Sequence, residues 1–304
     1  MFKKALITGG AGFIGSHICE EILSNGKKAV VFDNLSVGKE DNIPKEAEFI
    51  KGDILNKEAL ENAMKGCDTV FHNAAFVSIR GSFEKLRHEV NSNCIGTLNV
   101  FESAVNSGVK KLIYASSMAV YGHPQNVIAK EQDLTIPNSF YGYSKLRGEE
   151  YAKLFEKEYG LKTVCLRYFN TYGQRQTPSE YVGVTTTFIN NVLNNKPMII
   201  YGDGEQTRDF VWVKDVAQAN YLAAESSISN EVFNVGSGKS MKISAIAKMI
   251  QEKIGGEIQH GPVPNGEIRN ITADISKIQN KLGFAPKGNF EKEIGKIIEW
   301  RKSK

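Results

Sequence analysis

The sequence has 304 residues, of which 41% are hydrophobic and 24% are charged, so a wholly disordered chain is excluded and one large domain, or two that share a core, is expected. Its 38 basic and 34 acidic residues are intermixed, and the net charge of +4 gives no reason to expect binding to nucleic acid or to a membrane. Four widely separated cysteines, and the lack of any long apolar run or signal-peptide core, favour a cytoplasmic protein without disulfides or bound zinc.

Short apolar runs alternate with helical patterns along the first half of the chain. Six of these runs predict buried strands: Lys4–Thr8, Ala29–Asp33, Glu48–Lys51, Thr69–His72, Lys111–Ser116 and Lys162–Arg167. Fully apolar strands that alternate with helices are typical of a parallel sheet that is covered on both faces. We therefore predict an α/β fold with a doubly wound, Rossmann-like sheet in a first domain over residues 1–167.

After about Tyr168 the alternation is less regular, and a polar stretch covers Gln174–Tyr181. Further helices are predicted over Thr185–Asn194, Lys214–Glu225, Ile243–Ile254 and Phe290–Arg301, and short strands over Met198–Tyr201 and Phe210–Val213. No linker rich in Gly, Ser or Pro separates the two parts of the chain. Residues 168–304 are therefore expected to form a smaller α/β region that is intertwined with the first domain.

A glycine-rich segment follows the first predicted strand and opens a helix. It runs from Thr8 to Gly15 and includes Gly9, Gly12, Phe13 and Ile14. Glycines at such a turn let backbone N–H groups approach a pyrophosphate, and the helix N-terminus adds the positive end of its dipole. A glycine triplet alone is also compatible with an ordinary turn between a strand and a helix, so the prediction of a dinucleotide site depends on its context.

Asp33 supplies part of that context, because it ends the second predicted strand about twenty residues after the glycines. A carboxylate at this position accepts hydrogen bonds from both hydroxyls of an adenosine ribose and repels a 2′-phosphate. No Arg or Lys occurs between Asp33 and Val37 to neutralise such a phosphate, which favours NAD over NADP. Asn34 is assigned to the same cofactor site. The alternative for Asp33 is that it only initiates a turn before Asn34.

The glycine spacing GxxGxxG resembles that of the short-chain dehydrogenases. Similar family segments are Gly52-Asp53-Ile54, Asn73-Ala74-Ala75 and the Asn93 that precedes Ile95-Gly96-Thr97. The resemblance implies that Asp53 and Ile54 line the adenine site and that the backbone of Ala74 and Ala75 flanks the cofactor. Asn93 is placed beside the cofactor by the same resemblance.

The chain also carries a Ser-Ser pair, Ser116-Ser117, after the fifth predicted strand, and Tyr141 followed by Lys145 at the start of a helix. Residues i and i+4 share a helix face, so the ammonium can stabilise the phenolate. Lowering a tyrosine pKa from about 10 to about 7 requires roughly 4 kcal/mol, which one cation about 4 Å away can supply at an effective dielectric constant near 20. Tyr143 is instead predicted to be a packing or surface residue.

Extended short-chain dehydrogenases that modify nucleotide sugars resemble this chain along most of its length. The segment from Ala115 to Gly122 is similar to that of the 4-epimerases of UDP-glucose and UDP-N-acetylglucosamine, and the resemblance makes Ser117, Tyr141 and Lys145 the catalytic residues, with Ser117 and Tyr141 also touching the substrate. Tyr141 and Lys145 would also contact the cofactor. Dehydratases of the family usually have an Asp-Glu pair where this chain has Met118-Ala119, which disfavours dehydration.

Segments of the second half extend the resemblance. It implies that Tyr168 touches the nicotinamide and that Asn170 and Arg208 bind the phosphates of the nucleotide sugar. Many relatives have an arginine where this chain has Pro264, so Arg269 is a possible substitute for the nucleotide contact. A homodimer packed through helices around Asn93–Val105 and Tyr141–Lys157 is also expected.

The predicted activity is NAD-dependent 4-epimerisation of a nucleotide sugar, with a UDP-sugar favoured. Several alternatives on the same scaffold stay open, namely a dehydrogenase, dehydratase, decarboxylase, reductase or 3,5-epimerase. A protein that binds NAD without catalysis is the alternative from another class, and the complete Ser, Tyr and Lys set argues against it. The sugar itself is not specified by these motifs, because the position similar to the one that gates N-acetylated sugars is Ile271, which is intermediate in size.

Overall fold

A parallel β-sheet of seven strands is the largest sheet of the structure, a computed structural model that describes residues 1–77, 83–124, 126–177, 183–263 and 268–304. The strands are β1 Lys4–Thr8, β2 Lys28–Asp33, β3 Glu48–Lys51, β4 Thr69–His72, β5 Lys111–Ser117, β6 Ile128–Ala129, β7 Lys162–Tyr168, β8 Asn170–Tyr172, β9 Met198–Tyr201, β10 Thr207–Trp212, β11 Glu231–Val235, β12 Ser240–Lys242, β13 Ile258–Gly261 and β14 Thr272–Ala273. The helices are α1 Phe13–Ser24, α2 Lys57–Met64, α3 Phe83–Val90, α4 Thr97–Asn106, α5 Phe140–Tyr159, α6 Val184–Leu193, α7 Val213–Glu225, α8 Ile243–Ile254, α9 Ser276–Leu282 and α10 Phe290–Lys302, with a π-helical turn at Asn91–Gly96 and 3₁₀ turns at Glu40–Asn42 and Met118–Tyr121.

The large sheet has the strand order β11, β7, β5, β4, β1, β2, β3, and every neighbouring pair is parallel. Helices α1 and α7 pack on one face, whereas α2, α4 and α5 cover the other. The direction of strand addition changes between β1 and β4, and ligands of doubly wound sheets bind outside the carboxyl ends of the strands at such a point. The predicted α/β fold with a doubly wound parallel sheet is confirmed.

Neighbouring residues of each strand belong to two different cores. Leu6 and Val30 face the core beneath α2 and α4, while Ile7 and Val31 face the core beneath α1 and α7. Because both faces of the sheet are covered, the strands carry apolar residues at consecutive positions in their centres. This is why apolar runs predicted six strands of the sheet to within one residue at each end.

The structure differs from the prediction in the seventh strand. β11 pairs with β7 along its whole length, from Glu231 opposite Val164 to Val235 opposite Tyr168. The sequence patterns did not predict this strand, and they placed a strand at Phe210–Val213 where β10 ends at Trp212 and α7 begins at Val213. A segment that follows the first half by more than sixty residues therefore completes the sheet.

The smaller region has its own core around Phe188, Trp212, Ile246 and Ile294. Short sheets of β12, β10 and β8 and of β13 and β9 lie beside helices α6, α8 and α10. The two-residue strands β6 and β14 pair in parallel and connect residues 128–129 to residues 272–273. In the part of the chain that the structure describes, no helix combines the length and apolarity needed to cross a membrane.

Candidate active site

Residues 9–15 form a close-packed turn between β1 and α1. The backbone of Gly9 has a φ of +68°, and a Cβ there would lie 2.8 Å from the backbone nitrogen of Ala74. A Cβ on Gly15 would lie 2.2 Å from the carbonyl oxygen of Gly9. Since only glycine fits these two positions, the turn can hold its backbone close to the segment after β4 and against a ligand.

The N-terminus of α1 is open toward a ligand. Gly12 is the N-cap residue and provides no side-chain cap, so the first turn, which begins with Phe13 and Ile14, has no side chain bonded to its N–H groups. Uncapped donors and the positive end of the helix dipole fit the pyrophosphate of a dinucleotide. The predicted cofactor residues Gly9, Gly12, Phe13, Ile14 and Gly15 therefore lie in one cradle.

Asp33 ends β2 beside this cradle and is 7% exposed. Its two carboxylate oxygens accept hydrogen bonds from the backbone nitrogens of Ala11, at 3.0 Å, and Leu35, at 2.8 Å. The neighbouring Asn34 donates to the carboxylate of Asp53 over 2.9 Å. The structure thus brings the three predicted adenosine-binding residues together, and the carboxylate of Asp33 is held in a fixed orientation.

Asn93 lies in the π-helical turn and fixes the segment that follows β4. Its side-chain oxygen accepts from the backbone nitrogen of Phe76 at 2.8 Å, and its amide donates to the Phe76 carbonyl oxygen at 2.7 Å and to Ser144 Oγ at 3.2 Å. Ala74 and Ala75 belong to the segment held in this way, and the buried Ile54 packs beneath the turn. These contacts of Asn93 therefore position the predicted cofactor-binding backbone against α5.

The three predicted catalytic residues meet at the carboxyl end of β5. Tyr141 lies in the first turn of α5, whose N-cap Ser139 accepts from the backbone nitrogen of Gly142 at 3.1 Å. Tyr141 and Ser117 share a side-chain hydrogen bond. The ammonium of Lys145, one helical turn further on, lies 5.7 Å from the centre of the Tyr141 ring. Tyr143, by contrast, is 57% exposed.

Burial dominates the proton affinities of this cluster. It raises the pKa of Tyr141 to about 12, against the lowering effect of the Ser117 hydrogen bond, and the nearby Glu89 raises it further. Burial also lowers the pKa of Lys145 to about 8. This differs from the expectation of a depressed tyrosine pKa, because desolvation of the phenolate is the largest effect on Tyr141 and the ammonium of Lys145 donates to the Ala115 carbonyl oxygen at 2.8 Å.

Tyr168 ends β7 next to Ser117, with which it is paired across the strands. Its hydroxyl donates to Asn220 at 2.9 Å and lies 3.3 Å from the side-chain oxygen of Asn73. The amide nitrogen of Asn73 is buried and has no hydrogen-bond partner among the described residues. Buried donors normally have a partner, so this amide fits a role toward a bound cofactor. Sequence reasoning did not assign Asn73, although it stands in the quoted Asn-Ala-Ala motif.

The predicted phosphate-binding residues Asn170 and Arg208 line one cavity in the smaller region. Arg208 donates to the Thr207 carbonyl oxygen at 2.8 Å, and the side-chain oxygen of Asn170 is buried without a hydrogen-bond partner among the described residues. Further residues line this cavity and were not predicted as site residues: Val184, Ile199, Tyr201, Gln206 and Ile243. Two of them, Tyr201 and Gln206, stand within seven residues of the predicted Arg208 along the chain, but only the arginine was assigned from that segment.

Arg269 does not line this cavity and forms an ion pair with Asp203. Its guanidinium donates two hydrogen bonds of 2.7 Å to the carboxylate of Asp203, and the pair is more than half exposed. The carbonyl oxygen of Arg269 also lies 3.4 Å from the Arg208 guanidinium. Pro264 lies outside the described residues, and Ile271 is fully buried in a small apolar cluster with Tyr121.

Comparison with known proteins places this site in a family. Residues 5–236 match the NAD dependent epimerase/dehydratase family. A UDP-glucose 4-epimerase from Thermotoga maritima, solved with UDP-glucose, is 37% identical over 99% of both chains with a TM-score of 0.93. A UDP-N-acetylglucosamine 4-epimerase from Methanobrevibacter ruminantium, solved with UDP-N-acetylmuramic acid, is 38% identical over 99% of this chain and 98% of that one, also with a TM-score of 0.93.

A third relative has a different name. A UDP-N-acetyl-α-D-glucosaminuronate decarboxylase from Bacillus cytotoxicus is 33% identical and covers 99% of this chain and 98% of its own. Similarity of this extent spans both the sheet and the smaller region. The prediction of the family and that of the cofactor are confirmed, and the chain belongs to the NAD dependent epimerase/dehydratase family, with NAD as its cofactor.

Proposed function

We propose that the protein is an epimerase that inverts C4 of a UDP-hexose by transient oxidation to a 4-keto sugar. The observation that carries the proposal is the cluster of the buried Lys145 with the half-buried Ser117 and Tyr141 at the carboxyl edge of the sheet. NAD, when bound, would supply the hydride-transfer chemistry at C4 and a positive charge near the phenol. The cradle at residues 9–15, Asp33 and the Asn73 amide would hold it.

The protein residues handle the proton of the sugar hydroxyl. In this proposal Tyr141 takes the proton from O4 during oxidation and gives it back after the keto sugar has turned over. Ser117 holds the same oxygen through its hydroxyl and shares the proton with Tyr141. Lys145 favours the ionised phenol, but burial raises the pKa of Tyr141 to about 12. Full activation of the base at neutral pH therefore depends on the added charge of the oxidised cofactor.

The residues after Ser117 favour epimerisation over dehydration. Met118 and Ala119 begin the 3₁₀ turn that follows β5, and neither can transfer a proton. The relatives with known names include 4-epimerases of UDP-sugars and a UDP-sugar decarboxylase. The alternatives are distinguished from 4-epimerisation by their products. Net dehydrogenation accumulates NADH, reduction consumes NADH and decarboxylation releases carbon dioxide, whereas 3,5-epimerisation yields a sugar that is inverted at C3 and C5 instead of C4.

The cavity of the smaller region supports the nucleotide part of the proposal. Arg208 and Asn170 would bind the diphosphate, and the buried Gln206 lies in the same lining. Arg269 could join them only by leaving Asp203, which an exposed ion pair permits at low cost. A panel of UDP-, GDP- and dTDP-hexoses, with products resolved by chromatography, tests the base preference. We expect turnover of UDP-hexoses at the highest kcat/KM.

Tyr141→Phe tests the proposed base. Removal of the phenolic oxygen is expected to lower kcat by about a hundredfold or more, while NAD stays bound, because the general base is lost and the ring is kept. Tyr143→Phe is the matched control, since Tyr143 lies on the same helix with its side chain 57% exposed. Near-normal turnover in Tyr141→Phe would refute the assignment. Wild-type protein that binds NAD but converts no nucleotide sugar would favour a sensing function.

We further propose a homodimer that packs through α4 and α5. The two helices contact each other. Large apolar side chains on α5 and in the turn before α4 are exposed, including Tyr143, Leu154 and Ile95. Leu154→Glu is expected to convert a dimer into a monomer, because burial of a carboxylate at an apolar interface is unfavourable. Sedimentation equilibrium at micromolar concentration measures the change, and a monomeric wild type would contradict it. The four unpaired cysteines support a cytoplasmic location.

A further inference from the structure

A buried carboxylate lies on the catalytic helix two turns after Tyr141. Glu149 is 2% exposed, and both of its oxygens are engaged. One oxygen accepts from Ser116 Oγ at 2.5 Å and from Arg167 Nε at 2.9 Å. The other accepts from a terminal nitrogen of Arg167 at 2.7 Å. We call these three residues, Ser116, Glu149 and Arg167, the Glu149 network.

The partners of Glu149 are direct neighbours of predicted site residues. Ser116 of β5 is paired with Arg167 of β7 across the sheet, and the next pair in the register is Ser117 with Tyr168. Glu149 itself lies one helical turn after Lys145. Each member of the network is therefore one residue, or one turn, away from a side chain that would touch the reacting groups.

The guanidinium of Arg167 is fixed from further sides. It donates to the Glu131 carbonyl oxygen at 3.2 Å and lies over the ring of Tyr121 at 4.7 Å from its centre. Tyr121 in turn donates to the buried Asn234 of β11 at 2.6 Å. The network thus connects the helix to β5 and β7, and Tyr121 extends the connection to β11. The polar groups of Ser116, Glu149 and Arg167 described above all have hydrogen-bond partners.

Stability alone is a weak explanation for such an arrangement. A buried ion pair roughly offsets its own desolvation cost, and apolar replacements of similar volume are often neutral or stabilising. The bidentate geometry, on the other hand, restricts how the helix can slide or rotate over the strands. A displacement of about 1 Å at a catalytic group can lower a rate by about a hundredfold.

We propose that the Glu149 network is a positioning device, which holds Lys145 and Tyr141 of α5 in register with Ser117 of β5 and Tyr168 of β7. This inference rests on the proposed function of Tyr141 and Lys145. Glu149 does not touch the substrate or the cofactor in this proposal. It acts through the helix, and its loss would separate the ammonium of Lys145 from the phenol that it stabilises.

The first test is Glu149→Gln, measured as kcat and KM over a range of pH. We expect kcat to fall by about ten- to a hundredfold with KM changed by less than about threefold. The acid limb of the kcat profile is expected to move to higher pH, because a displaced ammonium stabilises the phenolate less. Asp215→Asn is the matched control, since Asp215 is also a buried carboxylate, but it bonds only the backbone of Lys287 and Gly288. Its acid limb should stay in place.

A second variant keeps the test valid if a lone buried Arg167 prevents folding. The triple variant Ser116→Ala, Glu149→Met, Arg167→Met replaces the whole network with apolar groups and is expected to recover the thermal stability that Glu149→Gln loses. Its kcat should stay low and its acid limb shifted. Recovery of kcat and of the limb together with stability would overturn the positioning role. An acid limb that persists in Tyr141→Phe would instead overturn the proposed function, so the two failures are distinguishable.

Discussion

The buried ammonium of Lys145, a proposed catalytic group, destabilises the folded protein. Burial lowers its pKa from 10.5 to about 8. Below pH 8 the lysine is charged in both the folded and the unfolded chain, so the full cost of burying the charge is present. As the pH rises from 8 to 10.5, the folded state loses its proton first and this cost disappears. The shift corresponds to about 3 kcal/mol at neutral pH as an upper estimate.

Lys145→Met is therefore expected to be more stable than the wild type by about 1–3 kcal/mol at pH 7, and to lose catalysis. Urea denaturation at pH 7 and at pH 10.5 measures the effect, and the gain should shrink at the higher pH. Lys111→Met is the matched control, because burial lowers the pKa of Lys111 to about 8 as well. Its ammonium, however, bonds Ala223 O at 2.6 Å and Ser226 O at 2.7 Å.

Lys111→Met leaves two carbonyl oxygens without their donor, whereas Lys145→Met leaves only that of Ala115, so Lys111→Met should be less stable than Lys145→Met by about 1 kcal/mol or more. Equal stability of the two variants at pH 7 would contradict the assignment of a burial cost to Lys145. The spacing of Tyr141 and Lys145 could be read from the sequence, since it depends only on helical geometry. The raised pKa of Tyr141 could not, because it depends on how completely the surrounding chain excludes water from the ring.

Helix α5 carries the proposed catalytic residues, Tyr141 and Lys145, near one end only. Ser139 caps the N-terminus two residues before Tyr141, whereas the C-terminus ends at Gly160 with a φ of +70°. The space around the Cα of Gly160 is open. A side chain there meets only the backbone cost of the left-handed conformation, which is about 1 kcal/mol. The two ends therefore offer perturbations of similar energy at different distances from the site.

Ser139→Ala is expected to lower the free energy of unfolding by about 1 kcal/mol and kcat by about threefold to tenfold, because the first turn that holds Tyr141 frays. Gly160→Ala should lower stability by a similar amount and leave kcat within about twofold. Urea denaturation and steady-state kinetics measure both quantities. If kcat fell by the same factor in both variants at the same loss of stability, the first turn would have no special role.

Strands and helices with a clear local sequence pattern were predicted well, but β11 was not. Its sequence, Glu231 to Val235, places a polar Asn234 inside the strand. That side chain is fully buried because Tyr121 donates to it and it donates to the Ala129 carbonyl oxygen at 2.9 Å. Partners more than a hundred residues away leave no trace in the local pattern. In the sequence, the buried Asn234 consequently could not be distinguished from a polar residue at the surface.

At the scale of the whole molecule, the two predicted regions share the large sheet and its cores. Helix α7, which follows β10, packs against α1, and Val216, Ala219 and Ala223 belong to the same core as Ile18. A fragment of residues 1–167 would lack β11, α7 and this part of the core. The free energy of unfolding of a domain is only about 5–15 kcal/mol, so the loss of these buried apolar contacts exceeds what the fragment can tolerate.

Fragment 1–167 is therefore expected to show no cooperative thermal transition by circular dichroism, whereas a fragment of residues 1–236, which includes α7 and β11, should show one. Both are compared with the full chain under the same buffer. A sharp transition in fragment 1–167 would mean that β1–β5 and β7 form a self-sufficient sheet. The sequence predicted that the regions are intertwined from the lack of a linker, but only the structure identifies which strand crosses between them.

The late arrival of β11 has a consequence during synthesis. Until the ribosome has added Val235, the backbone N–H and carbonyl groups on one side of β7 lack the partners that β11 later provides. At roughly 5–20 residues per second, the interval between Tyr168 and Val235 lasts about 3–13 s. An apolar segment that is unpaired for that time is a template for pairing with other nascent chains. Yield in the cell should thus depend on chaperone capacity and translation speed over residues 169–235.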